Sequence, residues 1–193
     1  MKKRRLKTKL VALSVVLILA ALSVYGTLAY FTAQGTARNV ITAGDVKIAL
    51  EERMLTPDGE KTVPFEDQLD VMPGSDVSKI VTVTNTGGQP AWVRVSLDKA
   101  IELARGVEGE ADLSLVTCDL NTESWTEKDG YYYYNAALEP GQTTEPLFTA
   151  VHFAETMSNM YQESRAILQV NAFATQTAHN GASALEAAGW PEA

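Results

Sequence analysis

The run Ala166-Ile167-Leu168-Gln169-Val170-Asn171-Ala172-Phe173-Ala174 decides the fold class. In an extended chain, side chains alternate between faces. Ala166, Leu168, Val170, Ala172 and Ala174 therefore share one face, and Ile167, Gln169, Asn171 and Phe173 the other. Such alternation marks a half-buried strand with one wet face. The same period recurs outward along the chain. In Asp45–Leu50 it groups Val46, Ile48 and Leu50, and in Leu147–Phe153 it groups Leu147, Val151 and Phe153. Ala91–Leu97 sets Ala91, Val93, Val95 and Leu97 against Trp92, Arg94 and Ser96. Val77–Thr86 is rich in β-branched residues, which favour strands.

Turn chemistry separates these runs. Lys128-Asp129-Gly130 lies between Trp125–Glu127 and Tyr131–Asn135 and predicts a hairpin. Thr86-Gly87-Gly88-Gln89-Pro90 predicts another, with Pro90 at a strand start where no ladder donor is lost. Pro73-Gly74 and Pro140-Gly141 fit turns with proline second and a positive-φ glycine third. Those two head an internal echo: Val71-x-Pro73-Gly74 then Ile80-Val81-Thr82, and Leu138-x-Pro140-Gly141 then Leu147-Phe148-Thr149. Helix is expected in two places only, a short crossover at Asp98–Arg105 and a terminal turn at Ser183–Ala188. The expected fold is all-β: an antiparallel jelly-roll or Greek-key β-sandwich with short helical additions, preceded by an N-terminal signal helix.

Of the 193 residues, 46% are hydrophobic and 21% charged, with 24 acidic against 16 basic and a net charge of −8. There is ample apolar material for a core, which excludes a disordered tail protein. Cys118 stands alone, which excludes a disulfide-stapled miniprotein. The acidic balance disfavours general nucleic-acid binding. Residues 1–29 hold Lys2, Lys3, Arg4, Arg5, Lys7 and Lys9 and no acidic group. The remaining 164 residues thus carry 10 basic and 24 acidic groups, a net of −14.

The basic cluster is followed by the apolar run Leu10–Val24 and then Tyr25-Gly26-Thr27-Leu28-Ala29. These are the parts of a secretory signal peptide. Thr27 and Ala29 take the −3 and −1 positions for a cut between Ala29 and Tyr30. The alternative is an uncleaved signal anchor: the 20 residues Leu10–Ala29 would span about 30 Å as a helix. Either way the basic cluster stays in the cytoplasm and residues 30–193 are exported as one domain. That domain has no second apolar run and no C-terminal hydrophobic tail, so it is expected to be soluble and without a C-terminal anchor.

The segment Gly26-Thr27-Leu28-Ala29-Tyr30-Phe31-Thr32, with Asn39-Val40-Ile41-Thr42-Ala43-Gly44-Asp45-Val46 after it, resembles the start of proteins exported with a SipW-type signal peptidase. These are the TasA and camelysin-like proteins. Pro73-Gly74 with Val81-Thr82-Val83-Thr84-Asn85-Thr86-Gly87 resembles a strand and turn of that family. So do Asp129–Asn135 with Leu138-x-Pro140-Gly141, and Leu168–Gln176 is similar to its last core strand. The resemblance implies a secreted jelly-roll protein of the cell surface or biofilm matrix, processed by a SipW-like peptidase. In the best-known relatives it also implies self-association into fibres, the released N-terminal segment adding as a strand to a neighbouring subunit. Here that donor strand would begin Tyr30, Phe31, Thr32, Ala33 and run to Ala37. The plainer alternative is that the segment pairs within its own sheet. A cell-wall or matrix polymer is a further candidate partner.

Camelysin-like relatives have been classed as metallopeptidases, so a zinc site is the first catalytic question. No His-Glu-x-x-His pair exists, and the two histidines, His152 and His179, lie in separate segments. A catalytic zinc site usually takes three protein ligands. Cys118, within the strand-like Leu113–Leu120, reads as a buried structural thiol. Glu108-x-Glu110-x-Asp112 lacks the spacing of a calcium loop and reads as a solvated acidic loop. Tyr131–Tyr134 offers aromatic area to both faces of a strand, for packing or for an exposed glycan or partner contact. No catalytic residue and no cofactor are expected. The competing readings are a metallopeptidase and a monomeric adhesin or binding module.

Overall fold

The computed structural model describes residues 31–35, 39–42 and 46–191. Residues 1–29, expected to be a signal segment, lie outside them. Among the described residues thirteen strands run in chain order. They are β1 (Phe31–Gly35), β2 (Asn39–Thr42), β3 (Ile48–Leu55), β4 (Thr62–Pro64), β5 (Gln68–Val71), β6 (Asp76–Ser78) and β7 (Ile80–Asn85). Then follow β8 (Ala91–Glu102), β9 (Val116–Cys118), β10 (Trp125–Lys128), β11 (Tyr131–Tyr134), β12 (Ala150–Phe153) and β13 (Ser164–Gln176). Helical structure among the described residues is limited to two 3-10 turns, Leu113–Leu115 and Asn159–Tyr161. The fold is all-β, as the period-two runs require.

The larger sheet has the order β10-β11-β8-β13-β1-β5. Its spine is the twelve-residue antiparallel pairing of β8 with β13, from Glu102↔Arg165 to Ala91↔Gln176. Most pairings are antiparallel, but β1 and β2 both run parallel to β13, one after the other along its second edge. Opposite lie two three-stranded sheets, β4-β3-β7 and β6-β12-β9. They form one layer, because residues 142–149 run beside β7. Thr144 N–H donates to Val83 O (2.9 Å), Leu147 N–H to Val81 O (2.9 Å) and Val81 N–H to Phe148 O (3.1 Å). The two echoed segments found in the sequence are thus neighbours in space. Both Pro-Gly turns close as expected, with φ of 76° at Gly74 and 79° at Gly141.

The two layers share one buried apolar cluster. It includes Ile48, Leu50, Val81, Val83, Val93, Val95, Phe148, Phe153, Val170 and Ala172. Apart from Phe148, which is buried beside Leu147 against the alternation, these inward positions follow the period of two. The other face of β8 and β13 is not wet at its far end. Trp92, Arg94 and Tyr133 lie under the C-terminal segment, where Ala184 and Trp190 pack on this group, and the buried Phe173 lies beside Tyr131 and Arg94. Asn180 pins that segment, with its carbonyl accepting from Trp92 Nε1 (2.9 Å) and its amide bonding Gln176 O (2.9 Å) and Ala188 O (3.0 Å).

Four local expectations are corrected. Asp98–Arg105 is not a crossover helix, because β8 runs on to Glu102 in register with β13. An eight-residue helix is marginal alone, and the ladder offered by β13 outweighs the local propensity. Thr86–Pro90 is not a hairpin, because β7 pairs with β3 while β8 pairs with β13 and β11 in the opposite layer. The fully buried Asn85 shapes this arch by donating to Gln89 O (2.9 Å) and Leu138 O (2.8 Å) and accepting from Gly87 N–H (2.9 Å). Leu113–Leu120 is strand only over Val116–Cys118, since its start is wound into a 3-10 turn. Ser183–Ala188, expected as helix, makes a hydrogen-bonded turn without helix, Glu186 and Ala187 N–H both donating to Ser183 O (3.2 and 3.1 Å).

Candidate functional site

The segment singled out as a donor strand is β1, and its place in the sheet defines the candidate site. Its five residues pair in parallel with Ser164–Leu168 of β13, from Phe31↔Ser164 to Gly35↔Leu168. Its other edge pairs antiparallel with β5, at Phe31↔Val71 and Ala33↔Gln68, with a break in register between them. Phe31, Thr32 and Ala33 therefore pair within their own chain. Thr27, Ala29 and Tyr30, the expected cleavage residues, lie outside the described residues.

β1 fills a slot between two strands. β5 is the last strand of this sheet and is joined to it through β1. Withdrawal of β1 would leave without ladder partners the β1-facing N–H and C=O groups of Ser164–Leu168, whose other edge stays paired with β8, and those of β5. Such an opening is a template for another extended strand. The wall formed by β5 is unlike a core strand. Leu69 is 72% exposed, Met72 beside the strand is 45% exposed, and Asp70 holds a positive φ of 58°. A left-handed non-glycine residue is costly in a regular strand. β5 is thus a short, irregular edge that closes the slot weakly, whereas β13 is anchored along its whole length.

The remaining candidates are dispersed. His152 on β12 faces Asp76 on β6, with Nδ1 2.7 Å from Oδ1, and both side chains are exposed. His179 stands in the turn before Asn180 with φ 57°. Among the described residues no cluster of three or more His, Cys, Asp or Glu could hold a metal ion. Burial pushes the Cys118 thiol up to about 11, so the nucleophilic thiolate is suppressed near neutrality. Asp112 of the acidic loop caps a 3-10 turn, its Oδ1 accepting from Ser114 N–H (2.9 Å) and Oγ (2.6 Å). Tyr132 and Tyr134 pack on the main core, while Tyr131 and Tyr133 pack under the C-terminal segment. The tyrosine run is packing on both faces.

Two features escape the sequence reading. The Arg94 guanidinium lies over three aromatic rings, 3.8 Å from Tyr131, 4.8 Å from Trp190 and 5.2 Å from Phe173. Inside the core, Lys79 meets Glu52 at 2.9 Å. The signal for that pair was alternation itself. Lys79 stands in phase with Val77, Val81 and Val83, and Glu52 with Ile48 and Leu50, so both charges occupy inward positions. No family model matches this chain, and searches of curated proteins and of solved structures also return no match.

Proposed function

We propose that this chain is an exported structural protein of the cell surface or extracellular matrix, a jelly-roll relative of the TasA and camelysin-like proteins. Its subunits join when β1 of one copy enters the β1 slot of the next. The observation that carries this reading is the position of β1, an N-terminal strand held on both edges by backbone ladders. A second copy of the same segment can repeat every one of those bonds. Exchange therefore conserves the ladder and the register, and only the connection changes from intramolecular to intermolecular. The sequence places the signal-peptidase cut immediately before this strand, and cutting there would free it. The reading assigns no catalytic role.

The test is assembly of residues 30–193, examined by electron microscopy beside the uncut chain and a variant lacking residues 30–37. Filaments from the processed form alone are expected. Filaments that persist without residues 30–37, or that form equally from the uncut chain, overturn strand donation.

A further inference from the structure

Glu52 on β3 and Lys79, in the break between β6 and β7, are buried charges. Glu52 sits opposite Val81 in the β3–β7 ladder, so Lys79, two residues before Val81, is its diagonal neighbour on the same inward face. Lys79 is 2% exposed and Glu52 5%. Nζ lies 2.9 Å from Oε1, and beyond this contact with each other neither buried atom has a hydrogen-bond partner. The Phe65 ring covers the amine at 4.0 Å. A cavity of about 20 Å³ adjoins the lysine, lined by Phe65, Val77, Val116, Val151 and Phe153 among others. That is room for one water molecule.

A buried ion pair left without supporting hydrogen bonds is a poor way to fill a core. Burial, opposed by the field of Glu52, holds the Lys79 amine below its ordinary range, which favours the neutral nucleophilic form. The two reacting groups are already in contact and cannot separate, so their effective concentration is high.

We propose that Lys79 and Glu52 form an intramolecular amide bond, a covalent tie between β3 and the β6–β7 edge inside the core. The balance needs no outside reagent. The ammonium gives one proton to the carboxylate, and the amine lone pair then attacks the carboxyl carbon Cδ. The C–O bond to the hydroxyl breaks, and that group leaves as water with a second proton from nitrogen. One N–H remains in the amide, and the water has the adjoining cavity to enter. Two buried charges disappear in the same step. The tie joins strands that do not pair with β1, although the cavity beside Lys79 is also lined by Ala166, Ile167 and Leu168 of β13, which do. The digest reads the bond itself and so is separate from the test of assembly.

The test is tryptic digestion of the purified full chain followed by mass spectrometry. The bond predicts a branched species in which peptide 48–53 is joined to peptide 62–94, lighter than their sum by one water and uncut after Lys79. Recovery of free peptide 48–53 and of a peptide ending at Lys79, with no branched species, overturns the proposal. A Lys79→Met variant should yield free peptide 48–53. If that peptide stays linked in the variant, the assignment to Lys79 is wrong. The wild-type digest decides the matter even where the variant fails to fold.

Discussion

At the scale of single residues, hydrogen bonding and burial set the chemistry of the ionisable groups. Asp119 shows the first. Burial pushes its carboxyl upward, but hydrogen bonds from the Thr149 hydroxyl and from the Thr149 and Ala150 N–H groups (2.8 and 2.7 Å) prevail and hold it below its ordinary range. A carboxyl depressed in the folded state stabilises fully above its unfolded pKa of about 4. That contribution is lost as pH falls through the lower folded value. Asp119→Asn should therefore cost about 1 kcal/mol at pH 7, modest because the residue is exposed. Urea unfolding at pH 7 and pH 3 should show the gap to wild type narrowing in acid, and a constant gap would refute the argument. Cys118 shows the effect of burial. With its thiol raised to about 11, native alkylation at pH 8 should leave it unmodified while denaturant opens it to rapid labelling. Fast native labelling would show that the thiol is neither shielded nor suppressed.

At the scale of elements, turns legible in sequence can be separated from pairings that are not. Asp129 and Gly130 have φ of 51° and 79°, which fits a two-residue hairpin turn with both central residues left-handed. A Cβ at Gly130 would meet no atom within 4 Å, so substitution there has a conformational cost only. Gly130→Ala is expected to cost about 1–2 kcal/mol. Gly88→Ala is equally open and free of positive φ, and it should be nearly neutral. Equal urea midpoints for the two variants would contradict this account. The alternation of Ala166–Ala174 was enough to place β13 and its inward face. That its outward face is also covered, by Trp190 and its neighbours from the C-terminal segment, depends on a chain reversal at Asn180 that no local pattern announces.

At the scale of the whole molecule, charge opposes the assembly proposed for the β1 slot. Residues 30–193 carry a net of −14, and like-charged subunits repel before strands can meet. Screening shortens that repulsion to about 10 Å at 0.1 M salt. Filament yield and rate from residues 30–193 should therefore rise with ionic strength, read by sedimentation and electron microscopy. Indifference to salt would mean that charge plays no part in limiting assembly.

The sequence by itself determined that this protein is all-β, the shared core face of its long strands, and where its Pro-Gly and Asp-Gly turns fall. Those properties depend on side chains only a few residues apart. Only the tertiary structure decided that Thr86–Pro90 crosses between layers, that β8 continues where a helix was expected, and that β1 pairs in parallel with β13. It alone also brought Lys79 against Glu52. Each of these depends on which distant strand supplies the hydrogen bonds or the facing charge, and a period of two carries no record of its partner.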